Sequence, residues 1–206
     1  MPVTIDVDSP PGQFLSNRNR LRQYDFLQTS WVIADYGVGL EIDHDFICSL
    51  NLYATQYVSP QPGRYRRHYN VKVGGHNPSD WSVILDEMDL FLDTLHKRWA
   101  AFDPIEGAAY ALWGINHVHP FCDGNGRTAR ALCYFVLCRK LKKWLPGETN
   151  IMELIRAQEH DEMCEIMQRM HDAKEPGTMS TDLTECTAYL NRLVLEQLKT
   201  APADPA

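Results

Sequence analysis

Apolar residues return at three- and four-residue intervals along most of this chain, and that rhythm restricts it to a helical architecture. Ala108, Ala109, Leu112, Ile115 and Val118 form one such face, opened by Pro104. It stops at His119-Pro120, because a residue before proline is pushed out of helical geometry. Phe46, Ile47, Leu50 and Ala54 repeat the spacing within a helix over 43–57, and Leu85, Met88, Leu92 and Leu95 within one that starts from an N-cap at Ser79-Asp80. Further helices are expected around Phe26 and Ile33, and over 127–143, 150–172 and 181–199. One stretch breaks the rhythm. Ser59-Pro60-Gln61-Pro62-Gly63 is a cluster of breakers, and the alternation through Val71, Lys72 and Val73 up to Gly74-Gly75 predicts a short β-hairpin flap over 63–75. The expected fold class is all-α with one hairpin flap. A partly disordered N-terminal extension is expected over 1–25, one domain over 26–199 and a disordered tail over 200–206.

Composition narrows the function more than the fold. A formal net charge of -7 argues against general nucleic-acid or membrane-surface binding, because the bulk charge repels phosphate-rich partners. No apolar run approaches the roughly 20 residues needed to span a bilayer, and the first residues lack the basic-then-apolar order of a signal peptide. The six cysteines (48, 122, 133, 138, 164 and 186) include no CxxC pair and fall mostly in apolar helical patterns. They read as reduced, buried thiols of a cytoplasmic protein. Any phosphate chemistry therefore rests on a local arrangement.

That arrangement lies between His119 and Arg130: His-Pro-Phe-Cys-Asp-Gly-Asn-Gly-Arg-Thr-Ala-Arg. Glycines let backbone N–H groups approach an anion closely, and the N-terminus of the following helix adds partial positive charge. Arg127 and Arg130, three apart, share one helix face and can reach one polyphosphate. Asp123 is a hard oxygen ligand suited to Mg²⁺. His119 can accept a proton from an attacking hydroxyl near neutral pH. Each element alone has a plainer reading, His-Pro as a helix stop and Gly-Asn-Gly as a turn. Arginines at a helix N-terminus are nevertheless disfavoured by the dipole unless an anion joins them. Together the residues describe a phosphoryl- or nucleotidyl-transfer site.

The same residues resemble the Fic motif, HPFx(D/E)GNGRxxR, at every specified position, and the likeness extends more loosely over 28–198. Pro62-Gly63-Arg64-Tyr65-Arg66 with Val71-Lys72-Val73 looks like the Fic flap, so Arg64, Tyr65, Val71, Lys72 and Val73 are the expected target-docking residues, aligning an extended substrate by strand addition. The resemblance implies a protein adenylyltransferase that moves AMP from ATP to a Ser, Thr or Tyr hydroxyl of a target protein. It makes His119 the general base and Asp123 the Mg²⁺ ligand. It gives Asn125 and the Gly124 and Gly126 backbone the α-phosphate region, and Arg127 and Arg130 the β- and γ-phosphates. Phe121 becomes a core anchor. Gly126 favours AMP transfer over phosphorylation, since the Doc-type kinases resemble the motif with lysine there. The alternatives are UMP or phosphocholine transfer, phosphorylation, removal of AMP, or a silent nucleotide-binding scaffold. Many relatives carry a tyrosine near the nucleobase where this chain reads Arg156-Ala157-Gln158-Glu159-His160.

Regulation is the least legible part. The family's inhibitory helix, [S/T]xxxE[G/N], aligns with Ser30 to Asp35, which places Ala34 at the glutamate position. Thr181 to Cys186 offers Glu185 as a C-terminal counterpart, and the family also admits an antitoxin-like partner. The oligomeric state is not legible. His117 and His119 invite a zinc reading, but alternate residues diverge on a helix and no downstream ligand set completes a site. Arg64, Arg66, Arg67 and His68 read either as solvated edge charges or as a dock for an acidic target.

Overall fold

A computed structural model of the protein describes residues 4–37, 39–73, 76–157 and 162–201. Among them are eight α-helices: α1 (Pro10–Asp35), α2 (His44–Thr55), α3 (Ile84–Lys97), α4 (Pro104–Val118), α5 (Asn125–Leu141), α6 (Ile151–Ala157), α7 (Glu162–Asp172) and α8 (Thr184–Lys199). A single 3₁₀ turn over Trp81–Val83 leads into α3.

The two central helices are α4 and α5, packed along each other and joined by the loop 119–124. A Pro104 start and a capping box between Asp103 and Glu106 fix the beginning of α4. Its residues from Gly107 to Ile115 are then buried on every side. Helices α3, α7 and α8 cover α4, while α1, α2 and α6 cover α5. The closeness of α3 needs Gly114, where a Cβ would fall 2.2 Å from the Phe91 ring. Cys133, Cys138 and Cys186 are buried thiols in this core, and burial pushes each one up. None of the described helices is long and apolar enough to cross a membrane.

Three expectations change. Helix α1 begins at Pro10, capped by the Ser9 hydroxyl accepting from Gly12 N at 3.2 Å, so one helix runs through the expected boundary at 25–26. Its buried stripe is mostly polar: Asn19, Gln23, Leu27 and Ser30. Asn19 and Gln23 donate to Gln56 O and Leu50 O of the α2 region at 2.8 and 2.9 Å, which offsets the cost of burying them. The second change is the flap. No paired strands form among the described residues of 63–75; the segment is irregular, with isolated bridges Tyr65–Phe121 and Val73–His76. The single helix expected over 150–172 is α6 and α7. Residues 158–161, Gly74-Gly75 and the tail 202–206 lie outside the described residues.

Candidate active site

Helix α4 ends on His119, whose backbone is left-handed (φ 52°, ψ 56°). A non-glycine residue there carries a strain of about 1–2 kcal/mol, so neighbouring contacts must hold it. His119 N donates to Ile115 O at 2.9 Å, and Arg66 Nε donates to His119 O at 2.9 Å. Arg66 is 1% exposed, and its guanidinium also donates to Tyr69 O (3.1 Å), to Asn70 Oδ1 (3.4 Å) and to Ser79 O. It belongs to neither a solvated edge nor a docking patch. Its backbone N donates to Pro120 O at 2.8 Å. Tyr65 bridges Phe121, rests its ring on Phe121, and meets His44 Nδ1 through its hydroxyl at 3.0 Å. The first part of the expected flap is thus stitched to the loop beneath it. Arg64, Lys72 and Val73 remain exposed, and Val71 is half-buried.

The turn into α5 depends on Gly124, left-handed at φ 76°. A Cβ there would meet Thr55 Cγ2 at 2.3 Å, so α2 approaches the loop only because this residue is glycine. Asn51 of α2 ties the pieces together. Its Nδ2 donates to Asp123 O (2.9 Å) and Thr128 Oγ1 (3.2 Å), and its Oδ1 accepts from Gly63 N (3.0 Å). Phe121 is fully buried, in line with an anchoring role. The Asn125 side chain differs from expectation. Its Oδ1 accepts from Phe121 N at 2.9 Å and its Nδ2 donates to Phe121 O at 2.8 Å, so it braces the loop. The backbone N–H groups at the start of α5, which no side chain caps, are then the donors suited to an anion.

Charge in the site is set by burial. Burial, with help from the Arg66 and His76 charges, brings the His119 ring down to about 4, against an opposing hydrogen bond to the Asn116 backbone and the Asp123 charge. At neutral pH this imidazole is uncharged and can accept a proton. Arg127 donates to Ala54 O (2.6 Å) and Asp123 Oδ2 (3.1 Å). Burial, then the Arg127 charge, lowers Arg130 to about 10, so it stays cationic at pH 7.

Two cavities meet at Arg130. One, of about 340 Å³, is lined by His119, Gly126 and Arg130 together with Leu112, Ile155 and Met167. The other, of about 540 Å³, takes Arg127 and Arg130 with Arg20, Glu153 and Arg156. An apolar chamber beside a neutral histidine and a helix N-terminus therefore shares Arg130 with a basic one. Val73 also reaches the first cavity.

Several residues of the site escaped sequence reading. Asn51 carried a signal, a polar residue among the apolar positions Ile47, Leu50 and Ala54. Arg20, Glu153, His76 and His171 carried none, since only the folded chain brings them in. Neither expected inhibitory position falls at the site. On α1 the residues lining the basic cavity end at Tyr24, and Ala34 lies 10 residues farther on, about 15 Å along the helix. Glu185 pairs with Arg169 at 2.7 Å. Two carboxylates line the basic cavity, Glu148 and Glu153, and Glu153 pairs with Arg20 (3.4 Å) and Arg156 (3.1 Å).

Fold and site define an all-α domain that sets a neutral histidine beside an uncapped helix N-terminus and two arginines, an arrangement suited to group transfer from an anion. Residues 41–137 match the model of the Fic/DOC family. The protein adenylyltransferase Fic of Drosophila persimilis is 32% identical over 131 residues, 62% of this chain and 25% of its own length. That of Aedes aegypti is 38% identical over 86 residues, 40% of this chain and 17% of its own. The chain thus spans about a quarter or less of these curated relatives. Among solved structures, Fic-1 (residues 134–508) of C. elegans superposes with a TM-score of 0.70 at 23% identity, over 95% of this chain and 52% of its own. A Fic-domain signalling protein of Bacteroides thetaiotaomicron gives 0.69 at 19%, over 90% and 71%. These likenesses bear on the fold.

Proposed function

We propose that the chain transfers AMP from ATP to a hydroxyl side chain of a target protein. The observation that carries this reading is the position of neutral His119 in the cavity that also holds Gly126 and Arg130, beside the N-terminus of α5. The printed names of the curated relatives support the same chemistry. His119 takes the proton of the incoming hydroxyl as its oxygen attacks the α-phosphorus. The bond from that phosphorus to the bridging oxygen breaks, and pyrophosphate leaves with the electron pair. Backbone N–H groups at the start of α5 hold the α-phosphate, while Arg127 and Arg130 hold the departing β- and γ-phosphates. The apolar cavity takes the nucleoside and the basic one the polyphosphate end.

Asp123 fits a Mg²⁺ ion, being a half-exposed carboxylate whose oxygens accept from Gly124 N (2.6 Å) and Arg127 and keep further lone pairs toward solvent. Such an ion would supply charge neutralisation on the phosphates. Gly126 supports AMP transfer over phosphorylation, since a Cβ there would meet Arg130 Nη1 at 3.4 Å and a lysine would bring a second cation to it. Residues 71–73, irregular and with Lys72 and Val73 exposed, are the stretch of backbone that an extended target would pair with. Incubation with labelled ATP and Mg²⁺, read by intact mass, tests the reading. One added AMP in the chain or in an offered protein, lost at least about a hundredfold in His119→Ala, is expected. A phosphate adduct, or a UMP or phosphocholine adduct in parallel incubations with UTP or CDP-choline, would replace this reading, and tight ATP binding without turnover would leave a scaffold.

A further inference from the structure

His117, expected to stand apart from any ligand set, has two histidine neighbours from distant parts of the chain. It lies in the last turn of α4, His171 in the last turn of α7, and His76 follows the irregular segment. Their candidate ligand atoms all lie within 4.8 Å of one another. His117 Nδ1 and His171 Nδ1 are 3.0 Å apart, and the His76 and His171 rings stack with centroids 3.7 Å apart. His119 is not part of this group. We propose that His76, His117 and His171 bind a divalent transition-metal ion of the zinc class, with water in the fourth position.

The donor set fits that ion. Three imidazole nitrogens and no hard oxygen select zinc-class metals over Mg²⁺ or Ca²⁺. Nitrogens on a tetrahedral zinc lie about 3.3 Å apart for bonds of ~2.0–2.1 Å, so binding draws ligand atoms now within 4.8 Å closer together and turns the stacked His76 and His171 rings out of parallel. The tautomer of His76 is already set. His76 Nε2 donates to His117 O at 2.8 Å, which leaves the lone pair of the neutral ring on Nδ1. The His117 ring stacks on buried Trp113 with centroids 4.9 Å apart. A metal would replace the hydrogen bond between His117 and His171, whose proton moves to the far nitrogen of the donating ring. Two helix C-termini, those of α4 and α7, turn their negative ends toward the cluster and favour a dication. Lys174 opposes it at His117. His76 and His171 line the cavity that holds His119, so the open position faces that cavity. The bound ion would clamp the chain near Val73 and His76 to the ends of α4 and α7. This site stands whether or not the chain transfers AMP.

The test uses the full chain without an affinity tag of histidines, stripped with chelator. Calorimetry with ZnCl₂ is expected to give one site per chain, and Co²⁺ a tetrahedral absorption spectrum. ZnCl₂ is expected to raise the melting temperature where equal MgCl₂ does not. His76→Ala and His171→Ala each leave His117 and His119 intact and should weaken zinc binding at least about a hundredfold, beyond the 10–100-fold of outer-sphere changes. Wild-type protein that takes up no stoichiometric zinc overturns the proposal. So does a His76→Ala/His171→Ala protein that binds as tightly as wild type. If a variant does not fold, the wild-type Co²⁺ spectrum decides alone, an octahedral spectrum counting against the site.

Discussion

Replacing Arg66 by alanine tests whether the irregular segment holds the reaction centre in place. The guanidinium is 1% exposed and serves the carbonyls of His119, Tyr69 and Ser79. Its removal leaves three partly buried acceptors short of a donor, at about 1 kcal/mol each when water can partly re-enter. A loss of about 3 kcal/mol follows, shown in urea titration as a lower midpoint at unchanged slope. Arg66→Lys should recover only part of it, because a compact ammonium cannot reach acceptors spread across the guanidinium fork. Transfer activity, measured where both variants remain folded, should fall further than the folded fraction does, since His119 loses a contact holding it at φ 52°. A midpoint shift equivalent to less than about 1 kcal/mol in Arg66→Ala, with normal transfer, would refute the reasoning.

Three further outcomes are expected. Gly124→Ala should destabilise by about 3 kcal/mol through left-handed strain and the contact with Thr55 Cγ2. Thr55→Ser, which removes that methyl, should restore part of the loss in a double-mutant cycle, and strict additivity would show the two do not meet. Glu153→Gln should raise Mg-ATP affinity several-fold by calorimetry, because a carboxylate beside Arg20 and Arg156 opposes an incoming polyphosphate; a weaker affinity would make Glu153 a support instead. With His119 near 4, its neutral form is fully present at pH 7 and is lost only as pH falls through that value. Single-turnover transfer should therefore show no histidine inflection near 6.5; at pH 5.5 an unshifted ring would already be about 90% protonated.

The helical frame was legible because it rests on local signals. Asp103-Pro104 with Glu106 announces α4, and the apolar spacing that follows fills the core. The motif loop was legible for the same reason, since its residues are neighbours in sequence. Helix α1 was misjudged because its buried stripe, Asn19, Gln23 and Ser30, is polar, and apolar periodicity is blind to it. Ser9 before Pro10-Pro11 was the signal available. The hairpin failed for a different reason. Val71, Lys72 and Val73 alternate as a strand should, but Arg66 and Tyr65 satisfy the motif loop in place of a partner strand. The histidine cluster and the Arg20–Glu153 pair join residues scores of positions apart, and no local pattern encodes such meetings.

The two cavities also divide the protein into parts with unequal freedom to change. His119, Gly124 and Asn125 are locked into α4, α5 and Asn51, where a single added methyl is felt. The wall of the apolar cavity, proposed here to face a nucleoside, is made differently, by Ile155 at the end of short α6 and by Met163 and Met167 of α7. Methionine is unbranched and repacks at little cost. Selection can reshape that wall, and on the proposed function the choice of nucleotide with it, without touching His119 or the loop that holds it. A library restricted to positions 155, 163 and 167 is the place to look for a change of donor.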